Sequence, residues 1–398
     1  MRATDRATAL PDGASLIHIG MPKTGTTSLQ AALNAGRTDL ERLGVHNVGR
    51  KRHEMKVALT AAGTLPLYWG DHWQERWRDL AKDFRTSSAR CTLWSSETLS
   101  QANPDRIRYL ADQLARDDIH VVLTLRPLAP QLASQWQQYL RRRGTVGLEP
   151  WLREQFDAVS VDGTVNAAWD VQMPTLHRFS LRRIVEEWGG VFGEERLIFV
   201  ISPPNDYSFN LRAFERLLGV PEGALVTPDL DNASLPYPEA EMLRHFNLAY
   251  TERGGEHPTW KFTVGGPGKA AMNKLTDLPR HPIRTPRWAA EIANQHTEVW
   301  VDAVRGSGAT VVGDLQDLFV DPDLHPEDPG EPEAVSVRSA GRLADLLYKT
   351  AIDYKPRKPA ARKQADPKPV PADLRAVPGR VLLRELGRRT RRRLGRSR

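Results

Sequence analysis

The sequence predicts an α/β protein of three layers, a mainly parallel central sheet flanked by helices, with a disordered basic C-terminal tail. Three observations lead there. Short apolar runs of strand length alternate with longer segments of helical period. A glycine-bounded loop follows the first of those runs and opens a helix. Charge is also segregated. Of 56 Lys+Arg and 49 Asp+Glu in the 398 residues, positions 355–398 hold 16 and 3, so a body of net charge −6 carries an appendage of +13.

The elements follow in order. Residues 15–20 read as the first strand, and residues 24–35 as the helix after the loop, with Leu29 and Leu33 spaced for one buried face. Residues 92–95 form a second strand. Residues 119–125, Ile-His-Val-Val-Leu-Thr-Leu, form a third that is rich in β-branched and apolar side chains. Residues 197–201 and 310–312 supply two more. Helical patterns fill the intervals at 104–116, 128–143, 176–188, 208–218, 238–250 and 286–305. Such alternation makes crossover connections and a parallel sheet, and ligands then gather beyond the carboxyl ends of the strands. The acidic, proline-rich stretch 321–335 closes a catalytic unit expected over 1–320. A short helix at 336–353 completes a linker over 321–354, and residues 355–398, rich in Pro, Lys, Arg and Ala, form the tail.

Composition narrows the class. One cysteine, Cys91, excludes an intrachain disulfide framework and fits a reducing compartment. Beside Thr92-Leu93-Trp94 it reads as a buried strand residue rather than a nucleophile. Residues 1–14 carry charges and no apolar run of the secretory kind. No segment approaches the roughly 18 apolar residues of a membrane helix. The expectation is a cytoplasmic protein without a specific nucleic-acid partner. Within the tail, Leu382, Leu383, Leu386 and Leu394 allow a basic amphipathic helix, which suits either a solvated tail or peripheral contact with an anionic membrane.

The loop His18-Ile19-Gly20-Met21-Pro22-Lys23-Thr24-Gly25-Thr26-Thr27-Ser28 has the strand–glycine–helix form of a P-loop. In that form, free N–H groups and the positive helix end face an anion. Its lysine is displaced. A Walker A loop places lysine directly after the second glycine and follows it with Ser or Thr. Here Thr26 occupies that slot and the lysine comes earlier, at Lys23. Lysine at that point suits a leaving-group phosphate better than a β/γ-phosphate pair held with magnesium.

Residues Pro22 to Leu29 resemble the 5′-phosphosulfate loop of the sulfotransferases that use 3′-phosphoadenosine-5′-phosphosulfate (PAPS). A second element is similar to that family's 3′-phosphate site: Arg126 ends the strand 119–125, and Ser134 follows eight residues later within a helical pattern. A guanidinium fork and a serine hydroxyl two turns down its helix can converge on one phosphate. Where the family often has Arg-Asn-Pro or Arg-Asp-Pro, this chain has Arg126-Pro127, so the turn after the strand takes a different path. Residues 210–221, 232–235 and 312–315 also resemble parts of bacterial members that look structural, which extends the likeness over about residues 15–320. The resemblance implies PAPS as sulfuryl donor and no metal. Lys23, Thr24, Gly25, Thr26, Thr27 and Ser28 would hold its 5′ end, Arg126 and Ser134 its 3′-phosphate, and Lys23 would stabilise the bridging oxygen.

The general base is expected at a strand's carboxyl end. Ser95-Ser96-Glu97 follows the second strand and makes Glu97 the first choice, a glutamate also being what the resemblance implies. His53, in Arg50-Lys51-Arg52-His53-Glu54, is the alternative base or a substrate contact; His18 reads as a packed, hydrogen-bonded residue. The acceptor is expected to be a hydroxyl on a small molecule, carbohydrate or lipid. Tyr68, Trp69, Trp73 and Trp77 offer aromatic platforms for it, although core packing accounts for at least two of them. A small-molecule kinase and a non-catalytic nucleotide-binding protein of the same fold are the alternatives.

Overall fold

A computed structural model describes residues 9–51, 54–65, 72–166, 174–228, 234–264 and 283–353. Contacts gather residues through 351 into one compact unit. His53, Tyr68, Trp69 and the tail 355–398 lie outside the described residues. Among the described residues no helix is long and apolar enough to cross a membrane.

Six strands form one sheet: β1 (Ser15–His18), β2 (Val45–Asn47), β3 (Cys91–Ser95), β4 (Ile119–Leu125), β5 (Leu197–Ile201) and β6 (Thr310–Val312). Their order is β2-β3-β1-β4-β5-β6, and every neighbouring pair is parallel. From β1 the chain goes to the sheet edge at β2, returns to β3 beside β1, and then crosses to β4 on the other side. The strand order therefore reverses beside β1, where open α/β sheets bind their ligands.

The helices between β1 and β4 are α1 (Thr26–Ala35), α2 (Arg37–Arg42), α3 (Met55–Ala61), α4 (His72–Thr86) and α5 (Pro104–Leu114). Between β4 and β5 lie α6 (Leu128–Leu140), α7 (Leu148–Ala158), α8 (Thr175–Phe179), α9 (Leu181–Ile184), a π-helical turn (Val185–Gly189) and α10 (Gly190–Phe192). Then come α11 (Phe209–Leu218), α12 (Tyr237–Glu252), α13 (His257–Thr263), α14 (Arg287–Gly306) and α15 (Val337–Asp353).

Period-two alternation in the strands makes the three layers. Leu16, Leu93, Val122, Ile198 and Val200 face a core closed by Leu29 and Leu33 of α1 and Phe214, Leu217 and Leu218 of α11. Ile17, Trp94, Val121, Leu123 and Phe199 face the opposite, larger core, filled by Trp77, Ile107, Trp136 and Trp188. Trp77 stacks on Trp94 at 5.4 Å, and its indole N–H donates to Tyr109 at 3.1 Å, so this tryptophan is core packing. Cys91 is buried as expected, with its thiol pushed up to about 11 by burial.

Element limits shift where the backbone is special. β1 stops short of residue 20 because Gly20 turns to φ +85, and α1 starts at 26 because Gly25 sits at φ +86. α6 ends at 140, before Arg143 at φ +75. The helix expected at 176–188 is broken at Ser180, whose hydroxyl accepts from the Arg183 amide at 3.2 Å and caps α9. β2, α2, α3, α4, α7, α10 and α13 were not foreseen. The acidic stretch after 320 pairs back onto the body: Arg287 of α14 meets Asp323 at 2.8 Å and Glu327 at 3.1 Å. Glu241, His245 and Glu331 have the spacing of metal ligands, but Arg244 lies among them at 2.5, 3.2 and 2.8 Å, so a guanidinium already occupies the centre.

Candidate active site

The loop after β1 is fastened from three directions. Its backbone continues the ladder to β4, with the amides of Ile19 and Met21 donating to the carbonyls of Val122 and Thr124 at 3.0 Å each. His18, fully buried at the end of β1, reaches Ser95 of β3 at 2.8 Å and Thr124 of β4 at 3.3 Å. Burial pulls its pKa down to about 3, so the imidazole is neutral. Thr24 turns inward: its hydroxyl donates to the Met21 carbonyl at 2.6 Å and lies 2.8 Å from Thr124 Oγ1. The hydroxyl of Thr24 is therefore a latch inside the loop and not one of the phosphate donors expected from the sequence. From the face of the sheet that α1 also covers, Asn210 of α11 donates to the Thr24 carbonyl at 2.9 Å and accepts from Ser202 at 2.8 Å. Gln131 of α6 donates to the Pro22 carbonyl at 2.8 Å.

These anchors leave α1 opening on Gly25, which has no side chain to cap the first turn. Amides of a first helical turn have no partner within the helix, and they carry the positive end of its dipole. Gly25 is exposed, Thr27 and Ser28 are half-buried, and Thr26 is buried. Lys23, at φ +70, sends Nζ to the side-chain oxygen of Gln138 on α6 at 3.2 Å.

Arg126 and Ser134 meet as the spacing predicts. The Arg126 guanidinium donates to Ser134 Oγ at 2.9 Å and to the Pro130 carbonyl at 2.6 Å. Pro127, at φ −51 and ψ 140, caps α6 directly, and this is the shorter path taken without the intervening residue. Arg126 Nε is enclosed and has no hydrogen-bond partner, and burial presses the guanidinium pKa down to about 10, with the Tyr207 phenol in electrostatic reach pulling the other way. Tyr207, on the loop beyond β5, is 92% exposed.

Glu97 begins the turn Glu97–Gln101 just past β3, where the Ser96 amide still donates to the His18 carbonyl at 2.8 Å. It packs directly on Gly20, and its carboxylate accepts from Gln30 of α1 at 3.1 Å. The structure thus brings Lys23, Glu97, Arg126 and Ser134 to the carboxyl ends of β1, β3 and β4. His53 lies outside the described residues. The sequence reading missed Gln30, Gln131, Gln138 and Asn210. Each is a polar residue on a segment already read as a helix, and only Asn210 lay in a stretch picked out for its resemblance.

No family model matches the chain, and neither does any curated protein sequence. A crystal structure of a sulfotransferase from Alicyclobacillus acidocaldarius aligns over 64% of this chain and 100% of its own, at 16% identity and a TM-score of 0.37, a likeness too remote to bear on the chemistry.

Proposed function

We propose that the protein transfers a sulfuryl group from PAPS to a hydroxyl acceptor. One observation carries this reading. The Arg126–Ser134 pair, with an enclosed guanidinium nitrogen lacking a partner, stands beside a phosphate loop whose lysine is displaced. An enclosed, unpartnered guanidinium donor fits an anionic ligand. Two phosphate sites flanking one sheet end fit a nucleotide phosphorylated at both the 3′ and 5′ positions.

In this reading the first-turn amides of α1 bind the 5′-phosphate, and Arg126 with Ser134 binds the 3′-phosphate. When bound, PAPS supplies an activated sulfur with a phosphate leaving group. The chain's own residues do the rest. Lys23 Nζ, steered by Gln138, stabilises charge that develops on the bridging oxygen. Glu97, oriented by Gln30, takes the proton of the acceptor hydroxyl as its oxygen bonds to sulfur. The S–O bond to the 5′-phosphate breaks, and its electron pair leaves with that phosphate.

Calorimetry with 3′-phosphoadenosine-5′-phosphate and ATP tests the reading. Binding of the bisphosphate at least about tenfold tighter than ATP is expected. A preference for ATP overturns it.

A further inference from the structure

Positive charge clusters around Glu97 beyond what the nucleotide contacts use. Arg178, near the end of α8, has Arg142, Arg183 and Glu97 as its charged neighbours. Arg183 is fully engaged: it pairs with Glu187 at 2.6 Å and donates to the carbonyls of Ser100 at 2.8 Å and His177 at 3.1 Å. Those carbonyl contacts pin α8 and α9 against the turn that carries Glu97. Phe179 lines a cavity with Met21, Arg126 and Gln131, which sets α8 against the phosphate loop.

Arg178 makes no such set of polar contacts among the described residues: its guanidinium carbon lies 5.2 Å from the centre of the Phe179 ring. Its Nε is enclosed without a hydrogen-bond partner. Burial, then the like charges of Arg142 and Arg183, press its pKa down to about 10. Arg142 is exposed at the far end of α6. Just before it, Arg141 also leaves Nε and Nη2 enclosed and unpartnered. Guanidinium groups stay charged, and enclosed ones are disfavoured unless an anion joins them. Among the described residues, Glu97 is the carboxylate in electrostatic reach of Arg178, and it already accepts from Gln30.

Helix α6 orders the site along its length. Ser134 meets Arg126, Gln138 meets Lys23, and Arg142 follows beside Arg178. α6 ends at Leu140, and Arg142 stands in the turn just past it, four residues beyond Gln138 and eight beyond Ser134. Along the chain Arg142 thus follows the residues that meet Arg126 and Lys23, and Arg178 is in electrostatic reach of both Arg142 and Glu97.

We propose that Arg178, aided by Arg142, is an acceptor-binding subsite for an anionic group, so that the acceptor is a hydroxyl compound carrying a carboxylate or similar anion close to the hydroxyl. The proposal rests on the sulfuryl-transfer reading above.

The test compares 4-methylumbelliferyl β-D-glucuronide with the neutral β-D-glucoside, by ligand-observed NMR, on protein with and without 3′-phosphoadenosine-5′-phosphate. The glucuronide is expected to bind at least about tenfold tighter. Arg178→Gln should bring that preference below about twofold, and Arg142→Gln should lower it about threefold. Equal binding of the two probes, no glucuronide binding, or a preference that survives both substitutions overturns the subsite. If Arg178→Gln does not fold, the exposed Arg142 decides. Bisphosphate affinity is read on the same samples by calorimetry. Its absence sinks the donor reading alone, because the probe preference is also measured without nucleotide.

Discussion

Gly20 and Glu97 touch backbone to backbone. A methyl group built on Gly20 would lie 2.5 Å from the Cβ and 2.8 Å from the Cα of Glu97. The bend of the phosphate loop and the seat of the carboxylate are therefore one packing decision. Gly20 also sits at φ +85, which an L side chain adopts at a cost. Gly20→Ala is expected to lose about 2–5 kcal/mol, combining left-handed strain with overpacking. Urea denaturation measures it, and turnover should fall further than the unfolded fraction explains because Glu97 is displaced.

The phosphate pair gives a graded prediction. Arg126→Gln removes a charge-assisted contact, each such hydrogen bond being worth about 1.5–3 kcal/mol, so bisphosphate affinity should drop roughly 10- to 150-fold. Ser134→Ala should cost less, about three- to tenfold. Arg126→Lys should restore little, because Nη2 alone engages Ser134 and Pro130, and an ammonium lacks the further guanidinium nitrogens that would meet the phosphate. Calorimetry on the three variants checks the order.

The two assigned chemical roles separate kinetically. Lys23→Met should lower kcat by about 10²–10³ if it removes charge stabilisation in the transition state. Glu97→Gln is close in shape and removes only the base, for an expected loss of about 10²–10⁴ with bisphosphate affinity nearly unchanged. Stopped-time assays with labelled PAPS and calorimetry on both variants give the two readouts. Wild-type turnover in Glu97→Gln removes the base assignment.

Two buried imidazoles set an acid limit on stability. Burial holds His18 at about 3 and His296 at about 4. The unfolded chain protonates both near pH 6.5, whereas the folded chain does not until pH 3–4. Stability from this source is therefore complete above pH 6.5 and falls as pH drops toward 4, by roughly 2 kcal/mol per imidazole at pH 5. Urea midpoints at pH 7, 6 and 5 measure the slope, and His296→Leu should reduce it by about half. A slope unchanged in that variant contradicts the assignment to His296.

How far the sequence could be read depended on whether the signal was local. Strand β4 announced itself through seven residues of its own, and Arg126 through its place at that strand's end. Glu97 was legible for the same reason, as a carboxylate just past an apolar run. β2 was not, because Val45-His46-Asn47 is three residues long at a sheet edge. Gln131, Gln138 and Arg178 could not be recognised either. A polar side chain on a helix looks the same whether it meets water or a carbonyl more than a hundred residues away, as Gln131 meets that of Pro22. The inward turn of the Thr24 hydroxyl was equally invisible, since its partner Thr124 is one hundred residues on.

The bond from Asn210 to the Thr24 carbonyl spans 186 residues of chain. At ribosomal speeds of about 5–20 residues per second, roughly 10–40 s separate the synthesis of the loop from that of its anchor. The loop is therefore made early and locked late. A nascent chain that has paired β1 with β3 and β4 still lacks Ser202 at the end of β5 and the helix α11 that presents Asn210. The final shape of the loop is in this sense acquired only once the chain has passed its midpoint.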